Sequence, residues 1–485
     1  MLFNSYIFIL LFLGLCIIGY FGLNHFKKYN LAMIFLLGMS LWFYGYNNIN
    51  YLFILIFSVL INYGFYLLLN QTDQKEKVKK LLMIAGVSVN VGILLYFKYM
   101  DFFIGNINGI FKTEIPFLRI ALPLGISFFT FQQISFIVDA YRGEIPKYNF
   151  LHYACFVTYF PQLIAGPIVT HDELVPQFTD LSKKKFNSEN FAKGIYIFTL
   201  GLAKKVLVAD TFGRMVSYGY DTFEYLNTPT ALVVILGYTI QIYFDFSGYC
   251  DMAIGIGKMM NLELPVNFDS PYKAFTITEF WDRWHMTLTR FFTKYVYIPL
   301  GGSRKGTVRT YVNVMLVFLI SGFWHGASWT FVLWGVLHGI FNVITRIFKK
   351  FFDKLHPVLN WLITFTFINV TWVLFRADNF HQALTILRKA VSFDFSGFNM
   401  EFVTKIESPE LVEIMDILSV RGAYPQVILV GWFAVVLILM LGSKNAYEKM
   451  KTFKPTVLTF IITLFLLVWS VFSMEGISEF LYFNF

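Results

Sequence analysis

Apolar runs separated by short polar loops follow one another along the whole chain. About thirteen can be marked, and most approach the roughly 20 residues that a helix needs to cross the hydrocarbon core of a bilayer. They lie near positions 3–22, 30–46, 51–70, 81–98, 117–138, 150–168, 190–210, 229–257, 311–320, 327–347, 357–375, 426–442 and 456–473. The pattern predicts an all-α polytopic membrane protein, and we interpret residues 1–485 as a single membrane domain.

The basic residues in the loops predict how these runs are oriented, because cytoplasmic loops carry an excess of Lys and Arg. The first basic cluster begins at Lys27, after the first run, and loop 71–80 holds four lysines, so the N-terminus should be extracytoplasmic. Loop 443–454 also holds four lysines and should be cytoplasmic, which places the C-terminus outside as well. External termini require an even number of crossings of the cell (plasma or inner) membrane. We expect about twelve, with the runs at 311–320 and 150–168 entering the membrane without crossing it.

Composition excludes several other classes of protein. With 57% hydrophobic, 20% aromatic and 14% charged residues, the chain is not a soluble globular protein. The net charge of +9 does not indicate nucleic-acid binding, because the basic residues are scattered over short loops. The three cysteines lie in apolar surroundings without the spacing of metal ligands, so neither a metal site nor a disulfide framework is expected.

The segment TITEFWDRWHMTLTRFF, residues 276–292, predicts a helix with a defined start. Thr276 and Glu279 have the spacing of a capping box. Apolar side chains then recur at three- and four-residue steps, at Phe280, Trp284, Leu288, Phe291 and Tyr295. This spacing favours an amphipathic helix in the membrane interface. His285 lies one residue beyond the apolar stripe, where it either serves a functional site or reaches towards water, and Asp282 is placed to orient its ring.

A second histidine follows the short apolar run at 311–320, which is about half as long as a crossing helix requires. Ser321, Gly322, Gly326 and Ser328 interrupt the apolar pattern after that run. His325 lies within the interruption. Broken helices at membrane depth occur where protein buries them or where they line a wet cavity, so His325 is a candidate functional residue. His338 stands in an intact apolar run, where a structural hydrogen bond is an equally good interpretation.

Polar residues also interrupt the apolar run at 229–257. They are Asp245, Ser247, Tyr249 and Asp251. Charges at membrane depth are costly and usually face a cavity or a partner. We favour a scaffold role for them over a catalytic one, with Arg283 or Arg376 as the expected ionic partner.

Several long motifs resemble the membrane-bound O-acyltransferase family, and specifically its bacterial alginate O-acetylase branch. The central ones are FDFSGYCDMAIGIG (244–257), NFDSPYKAFTITEFWDRWHMTLTRFFTKYVYIPLGGSRKG (267–306) and FWHGASWTFVLWGVLHG (323–339). PLGISFFTFQQISFIVDAYRG (123–143), YFPQLIAGPIV (159–169) and WVLFRADN (372–379) resemble the same branch in the same order. The likeness extends along nearly the whole chain.

The resemblance implies a ring of tilted helices around a thin centre, with a catalytic core at about 120–376. The near-invariant catalytic histidine of the family matches His325, and its second histidine, in the RWH motif, matches His285. Trp324 of the FWHG motif would support the site, and Asp282 or Arg283 would help His285 to position the donor or stabilise charge.

The implied activity is O-acetylation of an extracytoplasmic polysaccharide, with the acetyl group crossing the membrane from a cytoplasmic thioester. The donor would be acetyl-CoA or an acyl carrier protein, used as a substrate rather than as a bound cofactor. A basic neighbourhood could hold its phosphates or an acidic carrier, although ordinary cytoplasmic loops would look the same. These residues are Arg283, Arg290, Lys294, Arg304, Lys305 and Arg309.

The C-terminal span and tail, residues 456–485, end in FLYFNF, which places Phe480, Tyr482 and Phe485 in an F-x-Y-x-x-F arrangement. In systems that this chain resembles, such a tyrosine is proposed to carry the acyl group transiently on the outer side. The alternative is an aromatic anchor at the membrane interface. The resemblance also implies a separate extracytoplasmic serine-esterase-like transferase as a partner.

Other functions stay open at this point. A transporter or flippase also uses broken helices, although the internal symmetry typical of transporters is not visible here. Within the enzymes, D-alanyl transfer for teichoic acid D-alanylation is the nearest alternative. The motifs do not distinguish alginate-like exopolysaccharide, peptidoglycan and other cell-wall glycans as the acceptor.

Overall fold

The computed structural model describes residues 1–71, 75–406, 425–474 and 480–481, together with positions 413 and 417. Within these residues every regular element is a helix, and strand-like pairing is limited to one isolated bridge between Phe268 and Trp284. The prediction of an all-α architecture is therefore confirmed.

The helices follow the apolar runs closely. In chain order they are α1 (Phe8–His25), α2 (Tyr29–Gly45), α3 (Ile49–Leu69), α4 (Glu76–Phe111), α5 (Ile126–Tyr141), α6 (Phe150–Thr158), α7 (Phe160–Leu163), α8 (His171–Thr179), α9 (Ser188–Ala203), α10 (Asp210–Asp221), α11 (Thr228–Met259), α12 (Ile277–Arg283), α13 (Met286–Phe292), α14 (Thr307–His325), α15 (Trp329–Ile347), α16 (Lys349–Phe352), α17 (Pro357–Arg376), α18 (Phe380–Ala390), α19 (Met400–Thr404), α20 (Pro425–Gly442), α21 (Ala446–Lys451) and α22 (Val457–Phe472).

Seven described helices are long and apolar enough to cross a membrane, namely α1, α3, α4, α11, α14, α15 and α17. The helices α2, α20 and α22 are shorter but equally apolar in character. The protein is therefore a multi-pass membrane protein. The number of about twelve crossings and the external position of both termini stay predictions.

The chain divides into two compact units. Unit 1 comprises Met1–Phe198, Met252–Val266 and Arg290–Tyr295. In it, the run at 150–168 is split between α6 and α7, because Pro161 can start a helix but cannot continue one through its interior. The expectation that this run is interrupted is confirmed, whereas one membrane domain over residues 1–485 stays a prediction.

Unit 2 comprises Thr199–Asp251, Asn267–Thr289 and Val296–Phe485, and its central hairpin is formed by α14 and α15. A Cβ atom at Gly322 would lie 2.5 Å from the carbonyl oxygen of Phe331 and 3.0 Å from the Cα of Gly335. The small residues therefore let two helix backbones approach each other. The expected break at Ser321 and Gly322 is wrong, because α14 continues without interruption to His325.

Candidate active site

His325 is the last residue of α14, and the turn that follows sets its position. Gly326 is extended, and Ser328 then caps α15 by accepting a hydrogen bond from the backbone N–H of Thr330 at 3.3 Å. A side chain at Gly326 would collide with the ring of Phe331. The absence of a side chain at Gly326 therefore leaves room for the Phe331 ring beside the turn. The break that the sequence predicted lies here, one turn later than expected.

The imidazole of His325 is buried among aromatic rings. The residue is 3% exposed, and its ring centroid lies 4.8 Å from that of Trp324, 5.2 Å from that of Trp334 and 5.2 Å from that of Phe375. Close packing on several sides restricts rotation of the ring. Trp324 is thus a direct neighbour of the candidate base, as its place in the motif suggested.

His285 lies at a break between α12 and α13, so the predicted continuous helix over 276–292 is wrong. The start is as expected, because Thr276 Oγ1 accepts a hydrogen bond from the backbone N–H of Glu279 at 3.2 Å. At Trp284 the chain becomes extended, and His285 then adopts a left-handed conformation with a φ of 47°. Non-glycine residues rarely adopt this conformation, and such residues cluster at functional sites.

Asn267 orients the ring of His285. Its side-chain oxygen accepts hydrogen bonds from the backbone N–H of Thr287 at 3.2 Å and from Thr287 Oγ1 at 2.9 Å, and it lies 3.1 Å from His285 Nδ1. Because a backbone N–H can only donate, the oxygen of the amide must face this group of atoms. The neutral ring then carries its proton on Nδ1, and its Nε2 is an acceptor.

Burial determines the charge of His285, which lies outside the apolar crossing helices. The residue is 0% exposed, so the alternative of an interfacial ring reaching water is wrong. Burial lowers the pKa of His285 to about 3, and the ring is therefore neutral at physiological pH. Asp282 is exposed, and the expectation that it orients the ring is wrong, since Asn267 occupies that position.

Both candidate histidines lie close to one indole. The ring centroid of Trp324 is 4.8 Å from that of His325 and 6.3 Å from that of His285. Unit 2 therefore brings together the two histidines and the tryptophan that the motifs singled out. Asn267 belongs to the same group but was missed from the sequence, because a lone asparagine in a loop carries no recognisable signal.

His338 has a structural role. Its Nδ1 accepts a hydrogen bond from the indole N–H of Trp281 at 3.2 Å, which leaves the ring proton on Nε2. Nε2 lies 3.0 Å from Thr371 Oγ1 and can donate to it. Both ring nitrogens therefore bond within the protein, in agreement with the interpretation of His338 as a structural residue.

Lys204 and Lys205 balance the acidic residues of α11. Lys204 Nζ lies 2.6 Å from Asp251 Oδ2 and 3.3 Å from Ser247 Oγ, and Lys205 Nζ lies 2.7 Å from Asp245 Oδ1. Both lysines belong to a π-helical turn, Lys204–Ala209, that continues α9. The sequence signal for this pairing was two consecutive lysines at the end of an apolar run, where charges are costly.

The two arginines that were expected to pair with these acids make other contacts, so that expectation is wrong. Arg283 Nη2 lies 2.8 Å from Glu279 Oε1, one helical turn away. The Arg376 guanidinium lies 5.0 Å from the centroid of the Tyr220 ring.

Much of the basic neighbourhood proposed for donor phosphates is also neutralised by nearby acids. In unit 1, Arg290 binds both carboxylate oxygens of Glu173 at 2.5 and 2.8 Å. Lys294 Nζ lies 3.1 Å from Asp139 Oδ2 and 3.0 Å from Glu144 Oε2. These ion pairs make the two cations poorer phosphate ligands.

In unit 2 the remaining cations of that neighbourhood lie around the start of α14. Arg304 and Lys305 are exposed, and Arg309 donates weakly to the Leu300 carbonyl at 3.4 Å. Exposed cations in a short loop can still bind phosphate.

Two further predicted features can be placed only in part. Tyr482 lies outside the described residues, whereas the neighbouring Phe480 is described and buried. Among the described residues, no cluster of three or more His, Cys, Asp or Glu side chains could hold a metal ion.

Comparison with known proteins gives a consistent result. Residues 72–380 match the membrane-bound O-acyltransferase family. The chain is 41% identical to a peptidoglycan O-acetyltransferase of Helicobacter pylori, over 100% of this chain and 98% of the relative. It is 37% identical to a probable alginate O-acetylase of Pseudomonas putida, over 85% of each chain. A teichoic acid D-alanyltransferase of Bacillus subtilis is 26% identical over 59% of this chain and 79% of its own.

Proposed function

The chain belongs to the membrane-bound O-acyltransferase family, and from this premise we propose that it transfers an acetyl group from a cytoplasmic thioester to the oxygen of an extracytoplasmic glycan. Its membrane O-acyltransferase activity follows from the family and the relatives. We propose peptidoglycan as the glycan ahead of alginate-like polymers, because the relative named for peptidoglycan is similar over the full length of both chains.

The observation that carries the proposal is that two buried imidazoles lie close to the indole of Trp324. In the proposed step, an acceptor hydroxyl attacks the carbonyl carbon of the thioester while His325 removes its proton. The carbon–sulfur bond breaks, and the departing thiolate takes the proton from His325. General-base catalysis of this kind typically accelerates a reaction by about 10²- to 10⁴-fold.

The geometry limits what His285 can contribute. A neutral ring protonated on Nδ1 presents only an acceptor at Nε2, so it cannot donate a hydrogen bond to a developing oxyanion from that atom. It can accept one from the hydroxyl of the acceptor. We therefore assign His285 the task of orienting the acceptor hydroxyl towards the thioester.

The acyl donor, the first acceptor and the partner protein are also part of the proposal. Acetyl-CoA or an acetylated carrier protein would approach from the cytoplasm, with Arg304 and Lys305 as the exposed cations for its phosphates. Tyr482 would receive the acetyl group on the outer side of the cell membrane. A separate serine-esterase-like transferase would then deliver it to the glycan.

The alternatives differ in how well they fit the family. A transporter is set aside, because the family consists of acyltransferases. D-alanyl transfer is the remaining alternative, and its relatives match a smaller part of this chain.

The test is release of free coenzyme A from acetyl-CoA by the full chain in proteoliposomes. His325→Ala should lower the rate by about 10²- to 10⁴-fold. His381→Ala is the matched control, because the His381 side chain is 73% exposed on α18. Wild-type turnover in His325→Ala would refute the proposed role of His325.

A further inference from the structure

The described end of the C-terminal segment is held inside unit 2. Phe480 is 1% exposed, and its ring centroid lies 4.5 Å from that of Tyr249 with the two rings perpendicular. The ammonium group of Lys205 lies 4.6 Å from the centroid of the same ring. The backbone N–H of Leu481 donates to Asp245 Oδ2 at 3.0 Å. These contacts are made to protein groups rather than to lipid, which argues against Phe480 being an interfacial anchor.

The charges around Phe480 explain why it is bound. Lys205 Nζ lies 2.7 Å from Asp245 Oδ1 and 2.8 Å from Asp210 Oδ1, so one ammonium group faces two carboxylates. A buried ion cluster is stable only when hydrogen bonds satisfy its remaining oxygens. The Leu481 N–H supplies such a bond to Asp245, and the Phe480 ring faces the cation. The tail thus completes the surroundings of the cluster.

The helices, rather than the tail, build this site. A Cβ atom at Gly248 would lie 2.8 Å from the carbonyl oxygen of Gly201, so α11 packs closely against the segment that carries the two lysines. Asp245 and Tyr249 are one helical turn apart on α11 and present their side chains on one face. The neighbouring pair Lys204–Asp251 fixes the same packing independently at 2.6 Å.

We propose that Lys205, Asp245 and Tyr249 form a docking site for the C-terminal segment of this chain, and that they are positioning residues for acyl transfer. Tyr482, the acyl acceptor of the proposed function, follows Leu481 directly in the sequence. The same unit contains His285 and His325. The role in acyl transfer rests on the proposed function, whereas the docking does not.

Docking is tested by placing the photoreactive residue p-benzoyl-phenylalanine at position 480 of the full chain in native membranes. Illumination should give crosslinks to peptides that contain residues 204–210 or 245–249, mapped by mass spectrometry. Lys205→Gln and Asp245→Asn should each lower the crosslink yield. Crosslinks mainly to lipid or to other peptides would overturn the docking site.

Positioning is tested by the kinetics of acetyl transfer from acetyl-CoA in proteoliposomes. Phe480→Ala should lower kcat by about 10- to 30-fold and leave KM for acetyl-CoA unchanged, because a desolvated cation–π contact is lost while the donor site is intact. Phe480→Trp should restore most of the rate. Phe472→Ala is the matched control, since Phe472 is 79% exposed at the end of α22.

The outcomes distinguish the positioning role of the docked C-terminal segment from the proposed acetyltransferase function. Wild-type kcat in Phe480→Ala, together with a strong dependence on His325, would overturn positioning and leave the proposed function intact. The absence of acetyl transfer by the wild-type chain would refute the proposed function, while the crosslinks would still report on docking. A merely structural effect of Phe480→Ala would change KM and thermal stability together with kcat, and would also overturn the positioning role.

Discussion

Replacing Asn267 by leucine tests the local structure that holds His285. The substitution keeps a side chain of similar size but removes the oxygen that accepts from the backbone N–H of Thr287 and from His285 Nδ1–H. Asn267 is 1% exposed, so water cannot readily replace that oxygen. A buried donor left without an acceptor costs about 1–3 kcal/mol. The Thr287 hydroxyl, which also donates to this oxygen, can rotate, so we count only the two N–H donors, which together give about 2–6 kcal/mol.

The assay is the free energy of unfolding, measured by titrating SDS against the protein in mixed micelles, for wild type, Asn267→Leu and Asn267→Asp. The leucine variant should lose about 2–6 kcal/mol and should also lose activity, because nothing then selects the tautomer of His285. A leucine variant with wild-type stability and kcat would refute the assignment of Asn267.

The Asn267→Asp variant distinguishes the effect of Asn267 on the orientation of the His285 ring from its effect on the charge of that ring. It retains an acceptor for both donors, but its carboxylate would raise the pKa of His285 and favour the imidazolium form. Nε2 then becomes a donor, so activity should fall at neutral pH and recover as the pH is raised. The leucine variant should show no such recovery.

Further predictions concern helix packing, the buried ion cluster and pH. Gly322→Leu should force α14 and α15 apart, destabilise the protein by about 1–3 kcal/mol in a thermal-unfolding assay and reduce activity. Gly92→Leu in α4 is the control and should have little effect in that assay, because a Cβ atom there would meet nothing within 4 Å. Lys205→Met should cost about 3–5 kcal/mol by leaving the buried Asp245 carboxylate and the partly exposed Asp210 carboxylate without their cation, and adding Asp245→Asn should recover part of that loss in a double-mutant cycle. Because burial lowers the pKa of His285 to about 3, the unfolded chain takes up a proton below pH 6.5 that the folded protein does not. Between about pH 6.5 and about pH 3 this group should therefore make stability fall by about 1.4 kcal/mol for each pH unit, and His285→Gln should remove that contribution from the measured slope.

The sequence was most informative where periodicity and helix capping act alone. Apolar run lengths predicted the helical membrane architecture, and Thr276 with Glu279 marked the start of α12 correctly. Small residues were harder to interpret. Gly322 was expected to break a helix but instead lets α14 approach α15, while Gly326, only four residues later, does end the helix. The local sequence does not distinguish the two roles, because the difference lies in what packs against each residue.

The candidate histidines could be found from motifs, but their surroundings could not. His285 lies at a helix break, because pairing of Phe268 with Trp284 competes with continuation of the helix there. The sequence did not predict this break, since the apolar stripe runs through Trp284 without interruption. Its partner Asn267 lies 18 residues away in the chain. Likewise, Asp245 pairs with Lys205, 40 residues away, rather than with either arginine that was considered. Long-range partners of this kind depend on helix packing, which a single sequence does not specify.

The central claim is tested most directly by base-labile acetate in envelope fractions. Peptidoglycan and envelope polysaccharide from strains expressing wild type, His325→Ala or His381→Ala at equal levels would be hydrolysed, and acetate and D-alanine measured. We predict that acetate disappears from the peptidoglycan fraction only with His325→Ala and that D-alanine esters do not change. Unchanged acetate in every fraction, or a loss of D-alanine esters instead, would contradict the assignment as a glycan O-acetyltransferase.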